Sequence, residues 1–312
     1  MNYYVRKTAG FISTVFIISI MTFCVFQILP GDPALTILGM DADNAQIERM
    51  HASMQHDRPP LLKYVDWLGG ALRGDFGESY RYRKPVADII FPAFTVTAQL
   101  ALYVLLLTII IGVPFGILMA LCDKSPLSVP FSAAAQLGIS IPAFCVSLLF
   151  IIVFSVHLHL LPSMGYVTWS RSPVSCIRSL TLPALSITFG TAAVLARYTR
   201  ASLLLQLQKD YIRTARSKGL SLPGIIAVHA VRNALIPVLT ILGMITAEIL
   251  GGSIIVENVF SLPGLGRLLS NSISSRDYPL IQALVLYLSV IVVICNFITD
   301  LLYSAVDPRI RR

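Results

Sequence analysis

Six apolar runs, each long enough to cross a hydrocarbon core as a helix, constrain this chain more than anything else in it. They centre on residues 9–29, 96–122, 131–157, 182–203, 234–256 and 281–303. About 20 helical residues span a bilayer. Continuous runs of this length do not suit a membrane barrel, whose strands alternate over roughly 10 residues. Water is no better as a solvent: 55% of the 312 residues are hydrophobic and 13% charged, about half the quarter usual in soluble domains. The pattern predicts an all-α membrane protein with six transmembrane helices.

The connections are unequal and divide the chain. Residues 1–29 read as an N-terminal anchor helix after Arg6 and Lys7. Its apolar stretch exceeds a signal-peptide core, and Leu29-Pro30-Gly31-Asp32-Pro33 is not a small-residue cleavage site. Residues 30–95 form a small extracytoplasmic subdomain, with turn signals at Asp57-Arg58-Pro59-Pro60 and Arg73-Gly74-Asp75-Phe76-Gly77. Residues 96–303 hold the other five spans, including an inner loop at 204–233, and 304–312 are a short tail.

Orientation follows from Lys and Arg in the short connections. Arg6, Lys7, Lys124, the loop 204–233 with its flank, and Arg309, Arg311 and Arg312 gather the cations on one side. Arg171, Arg178, Arg267 and Arg276 are the sparser set opposite. Both termini are therefore expected in the cytoplasm. The net charge of +8 reads as this topology signal, without the aromatic-interleaved patch of a nucleic-acid binder.

Other function classes find little support. The five cysteines include no Cys-x-x-Cys pair and read as small hydrophobic residues. His51 and His56 are wrongly spaced for one helix face, and His157 and His159 flank Leu158; no permanent metal site is expected. No catalytic constellation and no Gly-x-x-x-x-Gly-Lys-Ser/Thr phosphate loop occurs. An enzyme is not expected, and active transport would need a partner that hydrolyses ATP.

The loop Gln208-Lys209-Asp210-Tyr211-Ile212-Arg213-Thr214-Ala215-Arg216-Ser217-Lys218-Gly219-Leu220 is the most informative stretch. Read as a helix, it puts Leu207, Tyr211, Ala215 and Lys218 on one face, and Gly219 stops it. Such a helix suits a groove on a partner, or equally the anionic inner leaflet. Glu248 stands out as a buried ionisable residue in the fifth span, where a carboxylate costs about 2.5–3.5 kcal/mol. It either lines a substrate path, favouring a cation or an amine, or pairs within the bundle. Gly112, Pro114, Gly116, Pro142, Pro183, Gly190, Pro237 and Gly243 interrupt the spans. Ordinary close packing and bent, path-shaping helices both fit them.

Asp210 to Gly219, followed by Val228-His229-Ala230-Val231-Arg232-Asn233-Ala234-Leu235-Ile236-Pro237, resembles the signature loop of permeases in the dipeptide, oligopeptide and nickel group of bacterial ABC importers. The general form is Glu-Ala-Ala-x-x-x-Gly; here Arg213, Thr214 and Ala215 fill the first three places and Gly219 the last. Leu29–Pro33, Gly74-Asp75-Phe76-Gly77 with Ser79, Val256 to Arg267, Arg276-Asp277-Tyr278-Pro279 and Asp307-Pro308-Arg309 extend the resemblance over nearly the whole chain. It implies a cytoplasmic coupling helix between the fourth and fifth spans, with Asp210, Tyr211, Arg213, Thr214, Ala215 and Gly219 as ATPase-coupling residues. It further implies a location in the bacterial inner membrane, a second homologous permease, two ATPase subunits that bind ATP and Mg, and an extracytoplasmic binding protein. The chain itself would carry no cofactor. Leu161 to Tyr166 and Glu248 to Asn258 look more like nickel-branch permeases, so the expected cargo leans to nickel or a nickel chelate, with dipeptides or oligopeptides as the alternative. An autonomous secondary transporter would need its own coupling-ion site and an inverted repeat, and neither is visible in the sequence.

Overall fold

In the computed structural model, residues 3–28, 43 and 59–306 are described. The motif 29–33, His51, His56, residues 57–58 and everything from 307 lie outside the described residues. Helices follow in the order α1 (Tyr3–Ile28), α2 (Pro60–Leu72), α3 (Val86–Leu121), α4 (Ser128–Ser140), α5 (Ala143–Phe150), α6 (Pro173–Leu207), α7 (Asp210–Ser217), α8 (Leu222–Ile225), α9 (Val231–Val259), α10 (Leu265–Ser274) and α11 (Tyr278–Val306). α5 runs into a π-helical turn at Ile151–His157, and α8 joins α9 through another at Ile226–Ala230.

Five of the expected spans are single helices, at Val5–Phe26, Val86–Leu121, Pro173–Leu207, Val228–Val259 and Tyr278–Leu301. The third is not. Between Ser128–Ser140 and Ala143–His157 the axis turns through 101°. Pro142 permits the turn: it has no N–H to donate, and its ring disfavours the helical region for the preceding residue. Ile141 accordingly sits at φ −88, ψ 121. The Pro142 carbonyl then starts the next helix by accepting from Cys145 N and Val146 N. Pro183 and Pro237, by contrast, are carried inside unbroken helices.

The chain divides into two units: residues 1–96 with 263–294, and 97–262 with 295–312. In the first, Val86, Ile90 and Ala93 at the start of α3 pack with Leu265 of α10 and with Leu280, Ala283 and Leu284 of α11. The long helix thus begins at Val86, within the stretch read as extracytoplasmic. On α1, Ser19 shares a 2.8 Å hydrogen bond with the Tyr64 hydroxyl of α2, and Phe23 meets the Tyr64 ring edge-on.

The second unit is organised by a seam between α3 and α6, which run parallel. Tyr103 meets Thr181 at 3.4 Å, and Thr108 meets Thr191 at 2.7 Å. Further along, glycine brings the backbones together: a Cβ on Gly116 would lie 2.5 Å from the Ala196 carbonyl and 2.6 Å from Thr199. The seam closes with Arg200 Nη2 on Asp123 Oδ1 at 2.6 Å. α4 joins it through Gly138, packed on Ala193, and α9 meets α11 where Gly243 faces Thr299. Close packing and a sharp bend therefore both occur, at different glycines and prolines.

Gly116→Ala is expected to lower the stability of the detergent-solubilised protein by about 1–3 kcal/mol through overpacking. Gly251→Ala, where an added Cβ meets nothing within 4 Å, should be neutral or stabilising by up to about 1 kcal/mol. Thermal unfolding of the two variants side by side checks the contrast.

Candidate functional site

The helix proposed for docking is real and short. α7 opens with Asp210 in its first turn and has Arg216 in its last, each favourable to the helix dipole. Gly219 ends it at φ +82, the left-handed conformation that glycine adopts without steric cost. Its amide donates to the Arg216 carbonyl at 3.0 Å.

Ile212 and Ala215, 1% and 8% exposed, plug into a seat made by Ala120 of α3, Leu203 of α6, Ile225 of α8, Ala230 of the π-helical turn after it and Ala234 of α9. Leu207 and Ile117 pack around its edge. The buried stripe differs from the expected one: Tyr211 and Lys218 are exposed and Ile212 replaces them. The reason is phase. α6 ends at Leu207 and α7 restarts at Asp210 after a turn, so helical spacing counted from Leu207 does not carry across.

The outer face is polar and charged. Asp210 and Arg213 are 95% and 80% exposed and lie 3.7 Å apart. Thr214 Oγ1 donates back to the Asp210 carbonyl, and Lys209, Arg216, Lys218 and Arg232 are exposed nearby. The Tyr211 hydroxyl donates to Gln206 Oε1 at 2.9 Å and accepts from Asn233 Nδ2 at 3.3 Å, which ties α7 to the end of α6 and the start of α9. Of the six residues named from sequence, Ala215 is therefore the anchor, Tyr211 the tie, and Asp210, Arg213, Thr214 and Gly219 are displayed.

Glu248 lies on α9 and is exposed on the isolated chain. Among the described residues of this unit the fully buried acid is Glu257, which takes a 2.7 Å hydrogen bond from Thr97 Oγ1. Sequence reasoning quoted Glu257 in a motif without singling it out; its position at the end of an apolar run was the available signal.

In the other unit Asp277 is buried at the turn between α10 and α11. Its carboxylate accepts from Ser79 Oγ, from Tyr80 N at 3.1 Å and from Arg81 N at 3.3 Å. Ser79 Oγ in turn accepts from Tyr82 N at 3.0 Å. Burial first, and then the Asp277 carboxylate, push the Tyr80 phenol above its usual range. Two short motifs far apart in sequence, one with Ser79 and one with Asp277, thus meet as a carboxylate clasp around a loop tip carrying Arg81, Arg83 and Lys84.

Residues 112–312 match the family described as binding-protein-dependent transport system inner membrane component, and residues 1–101 match its N-terminal domain. The chain belongs to this family. It is a multi-pass permease subunit of an ABC importer of the peptide and nickel group, a transport subunit rather than an enzyme. The glutathione transport system permease GsiC of Escherichia coli (strain K12) is 41% identical over 312 residues, covering 100% of this chain and 99% of its own. A Brucella abortus protein carrying a peptide transport system permease name is 39% identical over 306 residues, 98% of each chain. A solved inward-facing MetNI methionine ABC transporter chain superposes with a TM-score of 0.58 at 17% identity, over 70% of this chain and 96% of that one; it shares the fold.

Asp277→Ala strands several donors at once and should cost about 3 kcal/mol. Because the clasp is local, limited trypsin digestion should cleave the variant at Arg81 or Arg83 at concentrations that leave the parent intact.

Proposed function

We propose that this chain forms one half of an import path for small peptides, with a second homologous permease forming the other half. Two ATPase subunits that bind ATP and Mg drive it, and an extracytoplasmic binding protein delivers cargo. The observation that carries this reading is the seat of α7. Ile212 and Ala215 hold the helix on the ends of α3, α6 and α9, while Asp210, Arg213 and Thr214 face away from the chain. A helix held by its apolar side and offering a charged side suits the groove of a protein partner, and motion imposed on it is delivered to three spans together. On this reading the loop 204–233 and both termini are cytoplasmic.

The cargo is taken to be peptidic because the similar permeases are named for peptide and glutathione transport. Nickel, towards which the Leu161–Tyr166 and Glu248–Asn258 stretches lean, has no counterpart in those names. Charged groups within spans face protein or water rather than lipid. Glu248 is exposed on the isolated chain, and it is assigned to the face that meets the path or the second permease.

Proteoliposomes containing the full complex decide the cargo and the engine. ATP-dependent uptake of a labelled dipeptide or glutathione is expected. Uptake of Ni²⁺ in its place would return the cargo to the nickel branch, and uptake driven by an ion gradient without ATPase subunits would overturn the importer reading. In the same system Ile212→Asp, which puts a charge into the apolar seat, should abolish coupled uptake and release the ATPase subunits on purification. Glu248→Ala should lower uptake at least several-fold at unchanged membrane abundance; full activity would make it a structural group.

A further inference from the structure

At the end of α6 opposite the docking helix, the connection from the π-helical turn folds over an open cavity of about 460 Å³. Ser155, His159, Leu160, Ser175 and Arg178 are among its lining residues. Arg178 Nη2 donates to the Leu160 carbonyl at 3.0 Å. That bond holds the guanidinium at the cavity and leaves its other N–H donors for a ligand. Ser175 Oγ accepts from Ser172 Oγ at 3.0 Å, which leaves its own O–H as a further donor.

The cavity has cationic character with nothing to neutralise it from its own stretch of chain: no Asp or Glu occurs between Asp123 and Asp210. Its flanking sequence is apolar and exposed. Leu160 lines the cavity, and Leu158, Val174 and Ile177, each next in sequence to a lining residue, are exposed; so, in the same connection, is Trp169, a residue type that collects at the level of lipid headgroups. An Arg with hydroxyl donors suits a phosphate or carboxylate, and an exposed apolar rim beside it suits acyl chains.

We propose that this cavity holds the headgroup of an anionic phospholipid. Arg178, Ser155 and Ser175 receive the phosphodiester, and the acyl chains lie along the Leu158, Leu160 and Ile177 side. The missing carboxylate sets the preference. A zwitterionic lipid brings an ammonium group that finds no acid from this segment, whereas phosphatidylglycerol brings hydroxyls that the serines and backbone carbonyls accommodate. In the proposed orientation the site faces the outer leaflet, and it does not depend on which cargo is carried.

Native mass spectrometry of the full chain in detergent, titrated with phosphatidylglycerol or phosphatidylethanolamine, reads the preference directly. Phosphatidylglycerol should bind roughly tenfold more tightly, the scale of one charge-assisted contact. Arg178→Gln should erase the difference and Arg178→Lys should keep part of it. Should Arg178→Gln not fold, Ser175→Ala carries the test, with the preference falling several-fold. Equal binding of the two lipids by the parent chain would overturn the proposal, as would a preference untouched by every one of these variants. Displacement of phosphatidylglycerol by excess soluble glycerol 3-phosphate would also overturn it, by making the cavity a site for free oxyanions.

Discussion

The closeness of α3 and α6 is the contact on which the second unit depends. In lipid, helices gain nothing from hiding apolar side chains against each other, since the tails are as apolar as leucine. Association then rests on backbone approach and on polar contacts between helices. α3 and α6 use both along one line. Hydroxyl pairs occupy the seam at Thr108 and Thr191, glycine lets the backbones touch at Gly116 and Ala196, and the Arg200–Asp123 ion pair closes it. Each hydroxyl contact contributes only about 0.6–2 kcal/mol in such a setting. Together with the tight van der Waals fit they make the two helices one body.

That body is what α7 sits on. Ala120 lies just before the Asp123 end of the seam, and Leu203 just past Arg200, so the seat of Ile212 and Ala215 is built from the two helices that the ion pair fastens. α9 enters through Ala234, whose carbonyl accepts from Ser202 Oγ at 2.8 Å. In the proposed role, a push on α7 is delivered to α3, α6 and α9 together. Such a base suits gating by rigid-body motion, in which packed elements switch between discrete arrangements rather than bending continuously.

Much of this was legible from residues alone, because bilayer thickness translates directly into run length. The five single-helix spans and the short helix ending at Gly219 follow from apolar continuity and one stop residue. The break at Pro142 was harder to place, since Pro183 and Pro237 look alike in sequence and stay inside intact helices. What separates them is tertiary context, which composition does not carry. The phase of α7 was misread because periodicity assumes an unbroken helix from Leu207, and the turn at Gln208 and Lys209 resets it. The Ser79–Asp277 clasp could not be read at all: each half is a short motif, and only the fold brings them together.

The carboxylates sort by burial into two kinds, and the sorting runs against first intuition. Glu257 and Asp277 are fully enclosed, yet both receive hydrogen bonds from neighbours within their own unit. A buried charge so paired is already committed to holding structure, because withdrawing a partner leaves an uncompensated charge in a medium of low dielectric. Asp210 and Glu248 are exposed on the isolated chain. On the proposed reading Asp210 and Glu248, open to solvent on the isolated chain, are available to partners and cargo, whereas Glu257 and Asp277 belong to the frame.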